Sequence, residues 1–90
     1  MTKAQRKAKL LEWLSQDDEN GHKRNADCLA YDFQDFVEFK LGNISLKLAL
    51  SDLRELEKEG KVSGARLSTG VPYAGAPKHV KVYWLKESVQ

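Results

Sequence analysis

The stretch ISLKLALSDLRELEKEGKV, residues 44–62, carries basic and hydroxyl side chains at helical spacing. Offsets of 0, 4, 7 and 11 place four of them along one edge of a helix: Lys47, Ser51, Arg54 and Lys58. Arginine, lysine and hydroxyl groups hold phosphate oxygens, so this edge could bind a polyanion. The adjoining edge starts at Leu48 and carries Asp52, Glu55 and Glu59, whose carboxylates would repel phosphates. An ordinary solvated helix with ion pairs such as Glu55 with Lys58 is the competing interpretation.

Further cations are concentrated in the last third of the chain. The 90 residues have a formal net charge of +2, but residues 61–90 carry five basic side chains and one acidic side chain. Residues 1–45 carry seven basic and eight acidic side chains. Such asymmetry lets a nearly neutral chain attract a polyanion. The candidate side chains in the C-terminal part are Arg66, Lys78, His79 and Lys81, together with Tyr73. The basic start TKAQRKAK could contact phosphates or only aid solubility.

Side chains with metal-binding or nucleophilic chemistry form no recognisable pattern. His22 and His79 are far apart in sequence, and the lone Cys28 has no partner at metal-ligand spacing. The acidic run 17–19 precedes Asn-Gly, as a solvated loop does. No glycine-rich phosphate loop stands between a strand and a helix. The sequence therefore predicts no enzyme, no cofactor and no metal site.

Length and composition favour one domain spanning residues 1–90. A chain of this size with 41% apolar residues can bury one modest core. The single cysteine cannot form an internal disulfide, and no apolar run approaches the ~18 residues of a membrane span. We expect a cytoplasmic protein without membrane contact.

Periodicity predicts a first helix over about residues 3–16. Thr2 and Gln5 have the spacing of a capping box, which would start this helix. An apolar stripe follows at helical spacing: Ala4, Ala8 and Leu11, with Leu10 and Leu14 beside them. The polar run SQDDENGHKRN at 15–25 is predicted to form a loop.

Two more helices are predicted on either side of Gly42. The second ends near Lys40 and buries Phe33, Phe36, Val37 and Leu41, while its start is open because residues 28–31 could be extended. The third has Ser45 as its N-cap and Gly60 as its stop. Its core-facing side chains are Leu46, Ala49, Leu50, Leu53 and Leu56.

Beyond Gly60 the apolar period changes to that of β-strands. In HVKVYWLK, Val80, Val82 and Trp84 alternate with Lys81, Tyr83 and Leu85, which is typical of a strand with one buried face. Residues 62–68 can pair with this strand. The intervening STGVPYAGAPK contains two glycines and two prolines, which cannot continue a ladder, so it is predicted to be a protruding hairpin loop. Trp13 and Trp84 are expected to pack in the core or at its edge.

Three helices followed by a β-hairpin, with a glycine turn between the second and third helices, resemble a winged helix-turn-helix domain of the small bacterial or phage regulator type. The segments that carry the resemblance are VEFKLGNIS, LSDLRELEKEGKV and the hairpin loop. DLRELEKEGKV is similar to the end of a recognition helix and its exit into the first wing strand. The spacing from Gly42 to Leu53 is one residue longer than usual, with Asn43 as the extra residue.

The resemblance implies an α+β fold, a three-helix winged helix-turn-helix with a C-terminal two-stranded β-hairpin wing. It implies sequence-specific binding of double-stranded DNA, with helix 45–59 in the major groove and wing 69–79 at the backbone or minor groove. The DNA-binding residues would be Ser45, Lys47, Leu48, Ser51, Arg54, Lys58, Arg66, Tyr73, Lys78, His79 and Lys81. The role would be regulation of transcription or replication, with a homodimer or cooperative assembly on DNA.

A winged helix can instead serve as a protein-interaction module without binding DNA. In this alternative, acidic side chains around the second helix and exposed aromatic side chains would contact a basic protein partner. The acidic residues concerned are Asp27, Asp32, Asp35 and Glu38.

Overall fold

The computed structural model describes residues 1–68 and 79–86 and has an α+β fold. Within these residues the elements are α1 (Lys3–Leu14), β1 (Asn25–Asp27), α2 (Tyr31–Lys40), α3 (Leu46–Lys58), β2 (Val62–Ser68) and β3 (His79–Leu85). The predicted α+β class, the three helices and the pairing of residues 62–68 with the strand from 79 are confirmed. The predicted hairpin loop at 69–78 lies outside the described residues.

The first helix begins at the predicted capping box. The Thr2 hydroxyl accepts a hydrogen bond from the Gln5 N–H at 3.2 Å, and the Gln5 side chain accepts one from the Thr2 N–H at 2.8 Å. The helix ends at Leu14, two residues before its predicted end. Its apolar stripe was predicted only in part, because it buries Leu10, Trp13 and Leu14 but leaves Ala4 and Ala8 exposed.

The polar run after α1 forms a tight turn that reverses the chain. The Asp18 carboxylate accepts hydrogen bonds from the N–H groups of Asn20 and His22, at 2.9 Å and 3.0 Å. Gly21 has φ +79°, a left-handed conformation that glycine adopts without steric cost. The reversed chain leads directly into β1.

Strand β1 is a correction to the predicted fold. Its three residues pair antiparallel with β3, with Ala26 opposite Tyr83, and Ala26 is fully buried. The sheet among the described residues therefore has three strands in the order β1-β3-β2, rather than the two of the predicted hairpin. The sequence predicted a loop up to residue 25 and left the start of the second helix open. It did not predict a strand at 25–27, because Asn, Ala and Asp are depleted in strands.

The connection between α2 and α3 is short and contains two residues with positive φ. Gly42 has φ +78° and Asn43 has φ +57°, the left-handed region in which asparagine is enriched among non-glycine residues. Asn43 was identified from the sequence as an extra residue in this turn. After the turn, the Ser45 hydroxyl accepts a hydrogen bond from the Leu48 N–H at 3.1 Å, which confirms Ser45 as the N-cap of α3.

Strand β3 carries a buried residue on each of its two faces. Antiparallel pairing places Tyr83 opposite both Ala26 and Gly64, on the face that joins the helical core. Val82 is buried on the other face, and Trp84 is 40% exposed. The predicted alternation with one buried face is therefore matched only in part, because Val82 and Tyr83 are buried on opposite faces of the strand.

One apolar core joins all three helices to the sheet. Helix α3 contributes Ala49, Leu53 and Leu56, each fully buried, while Leu50 is only partly buried at the margin. Burial of Leu53 and Leu56 was predicted correctly, and that of Leu50 only in part. Trp13 of α1 stacks on Phe36 of α2 with ring centroids 5.0 Å apart, which confirms its place in the core.

Candidate nucleic-acid interface

The outward edge of α3 presents the cations that the sequence placed there. Lys47, Arg54 and Lys58 are exposed, and Ser51 between them is half-buried. Ser45 is exposed at the N-cap, and Leu48 in the first turn is 38% exposed. Within residues 1–68 and 79–86, no carboxylate lies within ion-pair distance of the three cations. Their charges are therefore available to a ligand as far as the described residues are concerned.

The carboxylates on the neighbouring edge of α3 are neutralised by α1. Lys3 Nζ lies 3.0 Å from Glu55, and Lys7 Nζ lies 2.5 Å from Glu59. Arg6 donates from Nε and Nη2 to the two carboxylate oxygens of Asp52, at 2.7 Å and 3.4 Å. The sequence predicted that these carboxylates would repel a polyanion. In the folded chain each of them is matched by a cation from another helix.

The pKa values of these groups follow from the pairing. The hydrogen bond with Lys3 lowers the pKa of Glu55 from its usual value, so this carboxylate stays ionised and paired near neutral pH. The hydrogen bond with Glu59 raises the pKa of Lys7, and that with Asp52 raises the pKa of Arg6. Glu55 takes Lys3 rather than Lys58 as its ion-pair partner, so the i,i+3 pair of the competing interpretation does not form.

The fourth acidic side chain of this region, Glu57, faces the sheet. Lys81 on β3 lies 3.2 Å from Glu57 and 5.3 Å from the centre of the Tyr83 ring. Gly64 makes room for this contact, since a Cβ at that position would lie 2.7 Å from Glu57 Oε2 and 2.8 Å from Lys81 Cε. Lys81 was predicted to contact DNA, and in this structure its charge is engaged with α3.

Other groups around Tyr83 connect α3 to the sheet. Burial raises the pKa of the Tyr83 hydroxyl, with the charges of Lys81 and Arg54 acting in the opposite direction. The contact of Glu57 with Lys81 thus joins α3 to the sheet face that carries Tyr83.

Of the other residues predicted to contact DNA from the wing, some lie within the described part of the chain and some outside it. Arg66 pairs with Lys81 in the β2–β3 ladder, so the two side chains share one face of the sheet and both are exposed. His79 is exposed opposite Ser68, at the end of the described hairpin. Tyr73 and Lys78 lie outside the described residues. The structure therefore places Arg66, Lys81 and His79 on one face of the hairpin, and Lys81 among them contacts α3 through Glu57.

The α1 cations are functional candidates whose role the sequence did not assign. TKAQRKAK was considered for direct phosphate contact, whereas Lys3, Arg6 and Lys7 bind the carboxylates of α3. A signal for this pairing exists in the sequence, because both helices place their charges three and four residues apart. Lys9 points elsewhere, into a groove between α1 and α2 that Lys40 also lines.

Other chemistry is sparse in the part of the chain that the structure describes. It contains no group of three or more His, Cys, Asp or Glu side chains arranged to hold a metal ion. Cys28 is half-buried, and burial raises the pKa of its thiol, which favours the unreactive protonated form. No helix in these residues has the length and apolar content needed to cross a bilayer.

Comparison with protein-family models, with curated proteins and with solved structures gives no match to this chain.

Proposed function

We propose that this chain is a winged helix-turn-helix domain that binds double-stranded DNA with α3 and the β2–β3 hairpin. The tight turn between α2 and α3 and the hairpin directly after α3 are the elements such a domain requires. The outward edge of α3 would enter the major groove, and the hairpin would lie along the sugar-phosphate backbone.

The observation that carries the proposal is the distribution of ion pairs around α3. Each carboxylate of α3 and its C-cap is matched by a cation from another element: Asp52 by Arg6, Glu55 by Lys3, Glu57 by Lys81 and Glu59 by Lys7. No such partner is found in the described residues for Lys47, Arg54 or Lys58. The outward edge of the helix is consequently positive, and binding a polyanion there would release condensed counterions.

Individual side chains have distinct roles in this proposal. Arg54 is suited to bidentate contact with guanine, and Leu48 to apolar contact with a thymine methyl group. Lys47, Lys58 and Arg66 would hold phosphates, together with the Ser45 hydroxyl, whose proton can still be donated while its oxygen caps α3. Specific binding of this kind would serve regulation of transcription or replication, with two copies binding adjacent half-sites.

The test is a salt titration of binding to random-sequence duplex DNA, followed by fluorescence anisotropy. We expect Lys47→Ala and Lys58→Ala each to weaken binding and to lower the slope of log K against log salt by about one. Lys9→Ala is the matched control, since Lys9 lies in the α1–α2 groove, and it should leave the slope unchanged. Wild-type binding that is absent at low salt would contradict the proposal and favour the alternative of a winged helix that contacts only protein.

Base reading is tested separately on a preferred site selected from a random duplex pool. Arg54→Ala should cost about 1–3 kcal/mol on the selected site and less on random DNA, because a base contact is lost only where the correct base is present. Equal losses of binding free energy on both DNAs would show that Arg54 contacts phosphates rather than a base.

A further inference from the structure

Helix α2 turns an aromatic and acidic face to solvent. Tyr31 is 82% exposed and Phe39 is 71% exposed, although large aromatic side chains usually lie in the core. Asp35 and Glu38 are exposed between them at helical spacing, so the four side chains share one face. We define this α2 face as Tyr31, Asp35, Glu38 and Phe39.

The α2 face continues into a shallow depression of mixed polar and apolar lining. Its lining combines polar and apolar side chains: Gln34, Glu38 and Asn43 with Val37, Ile44 and Leu46. An apolar side chain of a ligand could enter this depression while a neighbouring cation reaches Glu38. From Tyr31 to Phe39 the face spans about 12 Å, the rise of eight helical residues, and it combines aromatic surface with negative charge next to the depression.

We propose that the α2 face binds an arginine-containing amphipathic segment of a second protein. Arginine suits both kinds of group on the face, because its guanidinium stacks on aromatic rings and forms bidentate hydrogen bonds with carboxylates. An apolar residue next to the arginine would fill the depression beside Glu38. Among the described residues, the carboxylates of Asp35 and Glu38 have no ion-pair partner within the chain.

Charge excludes the symmetric alternative, in which two copies pair through the same face. Such a pairing would bring Asp35 and Glu38 of one copy against the same carboxylates of the other, and like charges in an interface are costly. DNA is excluded as the ligand of the α2 face for the same reason, because its phosphates carry the same charge as Asp35 and Glu38. A basic protein segment is the occupant that the chemistry favours, and its binding does not depend on the DNA interaction proposed for α3.

The experiment uses the full chain and a fluorescent peptide that carries arginines and leucines at helical spacing. We expect the peptide to bind wild type and to bind Asp35→Asn/Glu38→Gln at least about tenfold more weakly. Tyr31→Ala/Phe39→Ala should weaken binding too, whereas Glu19→Gln, which removes an exposed carboxylate from the α1–β1 loop, should not. A matched peptide with glutamines in place of the arginines should not bind.

Two outcomes would overturn the proposal. The first is equal loss of peptide binding in Glu19→Gln and in the α2-face variants, which would show unspecific charge attraction. The second is self-association of wild type in sedimentation that is sensitive to salt and is abolished by both Glu38→Gln and Lys47→Ala. That result would show that the α2 face binds a second copy of this chain. Circular dichroism should show intact folds, since the substituted side chains are exposed. DNA binding by Asp35→Asn/Glu38→Gln should be retained, so the two proposals can fail separately.

Discussion

The guanidinium of Arg6 on α1 binds both carboxylate oxygens of Asp52 on α3, and the Asp52 side chain is fully buried. This contact joins residues 46 positions apart in the chain and sets the register in which α1 lies along α3. The same register places Lys3 beside Glu55 and Lys7 beside Glu59. A buried charge is tolerated only with such a partner, so the pair makes any other packing of α1 unfavourable.

Removing one partner of this pair should therefore be more harmful than removing both. We expect Arg6→Leu to unfold at a clearly lower urea concentration than wild type, because it leaves the Asp52 carboxylate buried without a counterion. Arg6→Leu/Asp52→Leu should recover most of that loss, since apolar side chains can replace a buried ion pair. Equal urea midpoints for the single and double variants would show that the buried charge is not the cause.

The core assignment gives a second prediction. Leu53→Ala should destabilise the chain by about 2–5 kcal/mol, because it removes a fully buried side chain and leaves a cavity. For a domain of this size each kcal/mol lowers the melting temperature by roughly 4–8 °C, so calorimetry resolves the effect. Leu48→Ala is the matched control, because Leu48 lies in the same helix but is 38% exposed. Similar melting temperatures for the two variants would contradict the packing described for α3.

The helices could be predicted from the sequence because their signals are local. The Thr2–Gln5 capping box, the Ser45 N-cap and Gly60 lie within a few residues of the ends they determine. Strand β1 has no such signal, since Asn25–Asp27 is a strand only through its pairing with β3, more than fifty residues later. The alternation in β3 likewise does not tell which of its faces joins the helical core, because that depends on which side of the strand meets the helices.

The candidate site was predictable in its components but not in its electrostatics. The cations along one edge of α3 follow from their spacing, as does the neighbouring row of carboxylates. That Lys3, Arg6 and Lys7 neutralise this row depends on the packing of α1 against α3, a contact between distant parts of the chain. The sequence consequently overstated the repulsion that a polyanion would meet on this helix.

The turn after α1 should make stability depend on pH. Hydrogen bonds from the backbone N–H of His22, and then of Asn20, lower the pKa of the Asp18 carboxyl. A carboxyl with a lowered folded-state pKa contributes stability at pH values above its unfolded pKa, and this contribution is lost as the pH falls through the folded pKa.

Asp18→Asn keeps an acceptor oxygen but cannot titrate. Melting temperatures measured from about pH 6 to pH 2 should converge for wild type and Asp18→Asn at the acid end. Parallel curves over the whole range would contradict the assignment.

The last prediction tests whether α1 supports DNA binding by neutralising α3. Lys3→Gln leaves Glu55 without its partner at 3.0 Å, and the exposed carboxylate should then weaken binding to random duplex DNA. We expect a loss of about two- to fivefold at low salt, the range of coupling between exposed charges. Lys3→Gln/Glu55→Gln has the net charge of wild type and should restore affinity, with Lys9→Gln as a control for the loss of one α1 cation. If the double variant binds as weakly as Lys3→Gln, then Lys3 contacts phosphate directly and its pairing with Glu55 is incidental to binding.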